Sequence, residues 1–294
     1  GLQAGRSPHG TLRQPDQAVR ETQLNNAAAP DSSKTPRQIG FGAKIYGRTR
    51  AALGAGTAVT VLVPIELLTR NLRPGGWPQL TQMFHKILCR SLGLRIGVHG
   101  APVRQGGVFY VANHISYLDI PVLGSQIRAA FVAKSEVAGW GVVGWLSTLA
   151  RTVYIERERR ARTAEQRNAI IERLAQGADV ILFPEGTNSD GVSVMPFKSA
   201  LFAVVEGPEA ADFLIQPVTI AYTRVNGMPV TRGQLPDIAW VGDSELAPHA
   251  LTLMALGPIR TEIVFHPAVR AADFTDRKAL MRHCHNVIAT SYRQ

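Results

Sequence analysis

The chain has 294 residues, of which 45% are hydrophobic and 18% are charged, and this length suits two domains or one large α/β domain with an appendage. The apolar content argues against a mainly disordered chain. A polytopic membrane protein is also disfavoured, because only one segment approaches the ~20 apolar residues that span a bilayer. Two cysteines, Cys89 and Cys284, are too few for a disulfide framework. The formal net charge of +10 predicts an anionic partner: nucleic acid, anionic lipid or a phosphorylated substrate.

Much of the positive charge lies near the start of the chain. Residues 1–50 carry eight basic and three acidic side chains, which is half of the surplus. Residues 1–38 are rich in Gln, Pro, Ser, Asn and Ala and contain few large apolar groups, so we predict a disordered tail there. This tail does not resemble a secretory signal.

The segment Ala51–Thr69 is apolar except for Glu66 and is the candidate for membrane contact. Pro64 and Glu66 shorten its clean apolar core below ~18 residues. Both flanks are basic, so the Lys/Arg asymmetry typical of a spanning helix is missing. A helix lying in an anionic membrane surface fits at least as well as a spanning one, and a buried helix of a soluble domain stays open. The flanking basic residues are Lys44, Arg48, Arg50, Arg70 and Arg73.

Residues 78–92 carry apolar side chains at helical spacing and predict an amphipathic helix. We therefore assign residues 39–93 to an N-terminal membrane-associated helical region. From about residue 94, short apolar runs alternate with helix-like stretches, which predicts an α/β domain with a largely buried sheet over 94–294. The predicted strands are Gly107–Ala112, Ala130–Ala133, Thr152–Ile155, Asp179–Phe183, Ile215–Ala221 and Thr261–Phe265. Helices are predicted around 117–127, 136–149, 163–176, 198–206 and 275–292.

A histidine and an aspartate follow the first predicted strand. His114 and Asp119 are five residues apart and would not share one face of a regular helix. They can meet if His114 lies in the turn and Asp119 starts a helix, since Pro121 then fits the first helical turn. The carboxylate would fix the imidazole tautomer and stabilise the imidazolium, which is the arrangement of a general base and its orienting group. A helix cap beside an unrelated polar residue would give the same local pattern.

A second polar junction follows the predicted strand Asp179–Phe183. Pro184 and Gly186 break this strand and leave Glu185 and Thr187 on an irregular loop at its end. Function in open α/β sheets gathers where strands end and helices begin. The composition of the loop, taken alone, is that of an ordinary polar turn.

Together the two junctions resemble the glycerolipid acyltransferase family, whose members include lysophosphatidate acyltransferases. Asn113-His114 with Asp119 is similar to the family's first block, and Phe183-Pro-Glu-Gly-Thr187 is similar to its third. Thr152-Val-Tyr-Ile-Glu-Arg157 resembles the second block, an apolar strand ending in an acceptor-binding arginine. Ile215-Gln-Pro-Val-Thr-Ile220 resembles the fourth, with its proline inside a strand. All four blocks occur in the expected order over about residues 105–222.

The resemblance implies a mixed α/β sheet flanked by helices and a membrane-associated O-acyltransferase that moves a fatty acyl chain to a lysolipid hydroxyl. It implies no cofactor and no metal; acyl carrier protein or coenzyme A brings the activated chain. His114 is then the general base and Asp119 its orienting group. It also implies a bacterial inner-membrane protein whose catalytic domain faces the cytoplasm. The predicted substrate-binding residues are Arg157, Glu185, Gly186, Thr187 and Lys198.

The sequence departs from the family pattern at two positions. Arg151 stands where the second block often has glycine, and Asn188 stands where the third block often has an arginine that helps hold the acceptor phosphate. The extended third block, which continues to Lys198, resembles a bacterial branch that includes lyso-ornithine lipid acyltransferases. The acceptor is therefore expected to be lyso-ornithine lipid or lysophosphatidate. Lys198 or Arg157 could supply the missing cation.

Other features of the sequence point to less favoured functions. Gly139–Gly144 fits G-x-G-x-x-G literally but lacks a surrounding βαβ unit, so dinucleotide binding is not expected. The arginines of 157–167 alternate with acids and have no aromatic platform, so nucleic-acid binding is not expected either. His283-Cys284-His285 has no matching ligands elsewhere for a metal. The alternative from another class is a non-catalytic lipid-binding or remodelling partner that retains the fold, although such a module would not need the pair of His114 and Asp119.

Overall fold

The computed structural model describes residues 40–69, 72, 78–155, 163–242 and 245–293. The tail predicted over 1–38 lies outside the described residues, and so does Arg157. Two N-terminal helices, α1 (Phe41–Thr69) and α2 (Pro78–Leu92), pack against each other. Small residues allow this close approach: a side chain at Gly54 would collide with Ser91 of α2. The amphipathic helix expected over 78–92 is therefore present.

Helix α1 is continuous through Pro64 and extends further toward the N-terminus than the apolar segment. By length and composition it could cross a membrane, and 22% of its most apolar window is buried inside the protein. A mostly buried core helix would behave differently, because its apolar surface would be covered by the rest of the chain. Large apolar side chains of α1, such as Leu53 and Leu68, are exposed instead.

The described residues after α2 form a mixed sheet of nine strands. The main strand order is β1-β8-β6-β2-β5-β3-β4, with the short strands β7 and β9 also paired to β6. Strands β6, β2, β5, β3 and β4 are parallel, whereas β8 runs antiparallel to β6 and parallel to β1. The strands are β1 (Leu94–His99), β2 (Val108–Ala112), β3 (Ala129–Lys134), β4 (Val153–Ile155), β5 (Asp179–Leu182), β6 (Leu214–Val225), β7 (Met228–Pro229), β8 (Ile259–Phe265) and β9 (Val269–Arg270).

Helices cover the sheet and complete the expected α/β class. The core includes Phe109 and Phe202, which are fully buried; burying a side chain of this size contributes about 1.5–3 kcal/mol. Every residue of the central strand β2 is buried, as a strand covered on both faces requires. The helices are α3 (Asp119–Gly124), α4 (Gly141–Leu149), α5 (Thr163–Ala175), α6 (Leu246–Ala255) and α7 (Arg277–Tyr292).

Several element boundaries differ from the sequence prediction for local reasons. The helix expected over 136–149 is divided into a 3₁₀ helix, Ser135–Gly139, and α4, since Gly141 has a φ of +53° at the junction. The stretch 198–206 is a 3₁₀ helix over Ser199–Val205 rather than an α-helix. The helix around 117–127 shortens to α3. Arg151 adopts a φ of +60°, the left-handed region that glycine tolerates best, which accounts for glycine in the usual family pattern.

Pro217 lies inside the central strand β6, where a missing N–H would normally break the ladder. Pairing of β6 with β9 ends at Ile215, and pairing with β8 begins at Val218, so the proline occupies the gap between those partners. Its carbonyl accepts a hydrogen bond from the His266 N–H at 3.0 Å. The Gln216 side chain bridges the same gap by donating to the His266 carbonyl at 2.9 Å. These two hydrogen bonds to His266 keep β6 connected to the neighbouring chain at the position of Pro217.

Candidate active site

The two polar junctions meet at the carboxyl ends of the adjacent strands β2 and β5. Strands β2 and β5 are adjacent and parallel, with Val111 paired to Leu182, so their carboxyl ends lie side by side. His114 follows β2, and Glu185 follows β5. The Ser189 N–H donates to the His114 carbonyl at 2.8 Å and joins the second loop to the first. The strand order therefore brings together residues about seventy positions apart in the sequence.

His114 and Asp119 form the predicted pair. The Nδ1 atom of His114 lies 2.8 Å from Oδ2 of Asp119, because His114 lies in the turn after β2 and Asp119 begins α3. The same Oδ2 accepts hydrogen bonds from the N–H groups of Ile115 at 2.7 Å and Ser116 at 3.0 Å. Tyr222 donates its hydroxyl to Oδ1 at 2.7 Å. The fully buried carboxylate thus faces four donors, the arrangement that a buried charge requires.

One ring nitrogen of His114, Nδ1, is hydrogen-bonded to Asp119, and the other, Nε2, is available to accept a proton. An ionised carboxylate can only accept hydrogen bonds, so Nδ1 carries the proton and Nε2 keeps its lone pair. The ring stacks on Phe183 with centroids 4.1 Å apart and an interplanar angle of 13°. Phe183 in turn stacks on Phe131 at 6.2 Å. These contacts fix the plane of the imidazole and exclude water from one of its faces.

Glu185 braces the two loops through their backbones. Its Oε1 accepts from the His114 N–H at 2.7 Å, and its Oε2 accepts from the Met195 N–H at 3.0 Å. The residue is 1% exposed. Burial raises the pKa of Glu185 to about 7, although the two backbone donors oppose that shift. With both oxygens occupied by backbone, the carboxylate supports the position of His114, whereas the family resemblance places it in acceptor binding.

The remaining predicted residues of this loop differ in their access to the site. Gly186 has a φ of +77°, so a side chain there would be strained. Gly186, Thr187 and Asn188 line the cavity beside His114. Lys198 is exposed and does not line that cavity, and its backbone N–H donates to the Pro184 carbonyl at 2.9 Å. The structure therefore brings His114, Asp119 and the loop 185–188 together, and Lys198 is separate from them.

A cavity of about 620 Å³ opens beside His114, within the usual size range of small-molecule sites. Its wall combines the N-terminal helices with the α/β domain. The lining is mainly apolar, and its polar residues include Glu66, Lys134, Glu136 and Asn188. The apolar lining residues include Leu62 and Val63 of α1, Leu80, Phe84, Leu88 and Leu92 of α2, Val143, Leu146 and Leu149 of α4, and Leu246, Leu253 and Met254 of α6.

Two parts of this site were missed by the sequence analysis. Tyr222 comes directly after the predicted strand Ile215–Ala221, and that position was the available signal for a side chain at the sheet edge. The cavity wall from α6 was not predicted, because this helix contains Pro248 and has no side-chain cap at its N-terminus. Ser116, which lies between the paired residues, is fully buried and does not line the cavity. Among the residues that the structure describes, no group of His, Cys, Asp and Glu has the geometry of a metal site.

Known proteins are similar in sequence to this chain. Residues 95–221 match the family model described as Acyltransferase. A lyso-ornithine lipid O-acyltransferase of Brucella abortus is 42% identical over 229 residues, covering 76% of this chain and 86% of the relative. A 1-acyl-sn-glycerol-3-phosphate acyltransferase of Neisseria gonorrhoeae is 32% identical, covering 65% and 71%.

A solved structure extends the agreement to the fold. The crystal structure of the 1-acyl-sn-glycerophosphate acyltransferase of Thermotoga maritima superposes with a TM-score of 0.61 at 20% identity, covering 85% of this chain and 93% of that one. At this level of identity the match concerns the fold alone. The mixed sheet, the family model and the similarity to the Brucella relative all point the same way: the chain belongs to the acyltransferase family and is an acyltransferase.

Proposed function

We propose that the protein transfers a fatty acyl chain from an acyl thioester to the free hydroxyl of a lysolipid, with lyso-ornithine lipid as the preferred acceptor. The observation that carries this proposal is the contact of Asp119 with His114, which lines a large and mainly apolar cavity. The pair supplies a base, and the cavity supplies an apolar environment for an alkyl chain. Acyl carrier protein or coenzyme A would carry the donor chain.

In the proposed reaction Nε2 of His114 removes the proton of the acceptor hydroxyl while the oxygen attacks the thioester carbonyl. Asp119 stabilises the imidazolium that forms. The tetrahedral intermediate then collapses, the carbon–sulfur bond breaks, and the thiolate takes the proton from His114. An ester and a thiol are the products. No protein nucleophile is required, which is consistent with the burial of Ser116.

The acceptor preference rests on Asn188. Its Nδ2 is buried and has no hydrogen-bond partner among the described residues, and the side chain lines the cavity. An unpaired buried amide costs free energy, so a substrate group that accepts its hydrogen bond would bind favourably. Asn188 is a neutral donor where the usual family pattern has an arginine fork for phosphate. The similarity to the Brucella lyso-ornithine lipid enzyme supports the same acceptor.

We further infer that the protein acts at the bacterial inner membrane with its catalytic domain in the cytoplasm. The length and apolar surface of α1 support membrane contact. The bacterial relatives act on lipids by name. Acyl thioesters are made in the cytoplasm, so the cavity must be reachable from that side.

The test is an assay of the purified protein in detergent micelles. Lyso-ornithine lipid and lysophosphatidate are offered separately with the same acyl–acyl-carrier-protein or acyl-coenzyme A donor, and initial rates are compared as kcat/KM. We expect an acylated ornithine lipid by mass spectrometry, and a kcat about 10²–10⁴-fold lower with the His114→Ala variant. A folded protein that acylates neither acceptor would overturn acyl transfer. A preference for lysophosphatidate above about tenfold, or ~1.4 kcal/mol in transition-state binding, would overturn the acceptor assignment alone.

A further inference from the structure

Three arginines form a row across the sheet away from the catalytic pair. In the strand register Arg95 of β1 is paired with Arg260 of β8, and Arg260 is paired with Arg224 of β6. Side chains paired across neighbouring strands point to the same face of a sheet. The three arginines accordingly line one cleft of about 290 Å³, together with Glu262. We call this group the arginine row.

The charge of the arginine row is only partly balanced. Glu262 accepts from Nε of Arg260 at 2.6 Å and lies 3.1 Å from Nε2 of His99. Arg224 donates to the Gly227 carbonyl at 3.1 Å. In the described part of the chain, neither Arg95 nor Arg224 has an ion-pair partner. Like charges directly opposite each other destabilise a sheet, so three guanidinium groups beside one carboxylate would be stabilised by a bound anion.

The cleft is separate from the acyl-transfer site. The register of β6 against β8 shifts between Tyr222 and Arg224. Tyr222 is paired with Thr261, whereas Arg224 is paired with Arg260, so the two side chains point to opposite faces of the sheet. Tyr222 reaches Asp119 on its face. The two cavities share no lining residue.

The arginine row lies at the same end of the molecule as the basic start of α1. Arg50 of α1 donates to the Ser91 carbonyl at 2.9 Å, and its guanidinium contacts Gly93. The Gly93 carbonyl accepts from the Ile259 N–H at 3.1 Å. Gly93 lies two residues before Arg95, and Ile259 directly precedes Arg260. If the apolar part of α1 enters a membrane, its basic start and the arginine row therefore lie near the headgroups.

We propose that the arginine row binds the phosphate group of an anionic phospholipid and so orients the enzyme on its membrane. This inference rests on the membrane association proposed above. The guanidinium fork matches phosphate oxygens two at a time. A cleft of 290 Å³ suits one headgroup phosphate rather than the surface of a partner protein. The bound lipid is an orienting ligand and not the acyl acceptor, because the cleft does not reach His114.

The experiment compares two variants that each remove two positive charges. Arg95→Gln/Arg224→Gln disrupts the arginine row and keeps the Arg260–Glu262 ion pair. Lys278→Gln/Arg282→Gln is the matched control, because α7 begins near β9 at the amino end of β6, whereas Arg224 is near the carboxyl end. Flotation measures binding to phosphatidylcholine vesicles containing phosphatidylglycerol. We expect the first variant to bind about tenfold more weakly, and the control to bind nearly as well as the wild type.

Two further measurements, with oleate vesicles and with inorganic phosphate, distinguish the possible sources of the anion. Vesicles in which oleate replaces phosphatidylglycerol at equal surface charge should reduce the difference between the two variants. A carboxylate offers two oxygens in one plane, whereas a phosphodiester offers four oxygens in a tetrahedral arrangement to the three guanidinium groups. Equal loss in both variants, or an undiminished difference on oleate vesicles, would overturn the proposal. So would thermal stabilisation by inorganic phosphate that requires Arg95 and Arg224 without any difference on vesicles, which would assign the cleft to a soluble phosphate.

Acyl transfer in detergent micelles should be unchanged in the variant of the arginine row. The catalytic assay and the vesicle assay can therefore fail independently. Absence of acyl transfer by the wild-type protein in micelles would contradict the proposed function. Equal vesicle binding by the two variants would contradict the phosphate site. A variant that binds vesicles weakly and is also inactive in micelles would show that the cleft is coupled to the catalytic site, against the proposal.

Discussion

The turn after β2 and the loop after β5 differ in how they use their polar groups. In the turn, Asp119 accepts hydrogen bonds from four donors of the protein itself, so its oxygens are not left for a ligand. In the loop, Glu185 is likewise satisfied by backbone, but Asn188 lines the cavity and its buried Nδ2 is unpaired among the described residues. In the proposed reaction the fold therefore fixes the position of His114 through Asp119, and the amide of Asn188 is the proposed hydrogen-bond donor to the substrate. Variants can test this division one residue at a time.

The largest effect is expected from removing the base. His114→Ala should lower kcat by about 10²–10⁴-fold, because the acceptor hydroxyl then has no group to take its proton. Asp119→Asn should approach the same loss, since its amide would meet N–H donors of the turn and leave the imidazole tautomer unfixed. Initial rates in micelles measure both variants, and circular dichroism checks that they fold. His283→Ala, a histidine near Phe274, is the control. Near-normal turnover by a folded His114→Ala variant would refute the role of His114 as the base.

Glu185 should make stability depend on pH. In the unfolded chain its carboxyl ionises near the ordinary pKa of 4.5, whereas burial raises the pKa in the folded protein to about 7. The folded state therefore holds a proton that the unfolded state has released. The free energy of unfolding should fall as the pH rises from about 5 to 7, by on the order of 3 kcal/mol. Below the unfolded pKa the full contribution is present.

Urea unfolding at a series of pH values measures this dependence. Glu185→Gln cannot ionise, so its free energy of unfolding should change less over the same range than that of the wild type. The absolute stability of the variant will be lower, because an amide NH₂ replaces one acceptor of the two backbone N–H groups. The change in the free energy of unfolding with pH, and not its absolute value, decides whether Glu185 titrates in this range. Parallel curves for the two proteins would show that Glu185 does not titrate in this window.

A smaller effect is expected from the hydroxyl of Tyr222. Tyr222→Phe removes one of the four donors to the Asp119 carboxylate, a hydrogen bond to a charged group worth about 1.5–3 kcal/mol. Both the free energy of unfolding and kcat should fall, but kcat should fall less than in His114→Ala. Tyr154→Phe is the control, because its hydroxyl contacts Ser147 and the Gly144 carbonyl in α4. Equal changes in kcat for the two variants would mean that Tyr222 has no role in holding the pair.

The pairing of His114 with Asp119 could be predicted because it is local. Five residues and a proline decide whether the two side chains meet, and Pro121 makes the helix start where Asp119 stands. Tyr222 lies 103 residues beyond Asp119, and its contribution depends on β6 lying beside β2. Periodicity in the sequence identifies strands but does not order them in the sheet. The tyrosine was missed for that reason.

Elements with mixed surfaces were also harder to predict. Strand β1 was not predicted, because Arg95, Gly97 and His99 give it a polar face and it lies at the edge of the sheet. The cavity was not predicted as a site, since its wall comes from helices of four different parts of the chain. The central strand β2, fully buried and continuously apolar, was found with nearly correct bounds. Burial on both faces gives the clearest signal in the sequence.

The smallest expected effect concerns which acceptor is used. Asn188→Arg places a guanidinium where the usual family pattern has one, and a well-formed contact with a phosphate dianion would contribute about 1.5–3 kcal/mol. The kcat/KM for lysophosphatidate relative to lyso-ornithine lipid should rise about tenfold. Asn188→Lys adds the same charge without the planar fork, so its shift should be smaller. Asn188→Gln adds length without charge and should leave the ratio near that of the wild type.

Competition assays with both acceptors in one micelle measure this ratio directly. The rise in the ratio should be largest for Asn188→Arg, smaller for Asn188→Lys and smallest for Asn188→Gln, because charge and fork geometry contribute separately to phosphate binding. If all three variants lose both activities equally, Asn188 supports the loop and does not select the acceptor. If Asn188→Arg leaves the ratio unchanged while remaining active, the acceptor headgroup does not contact this position. A raised ratio would confirm that the loop after β5 selects the acceptor, while the turn after β2 performs the reaction on either one.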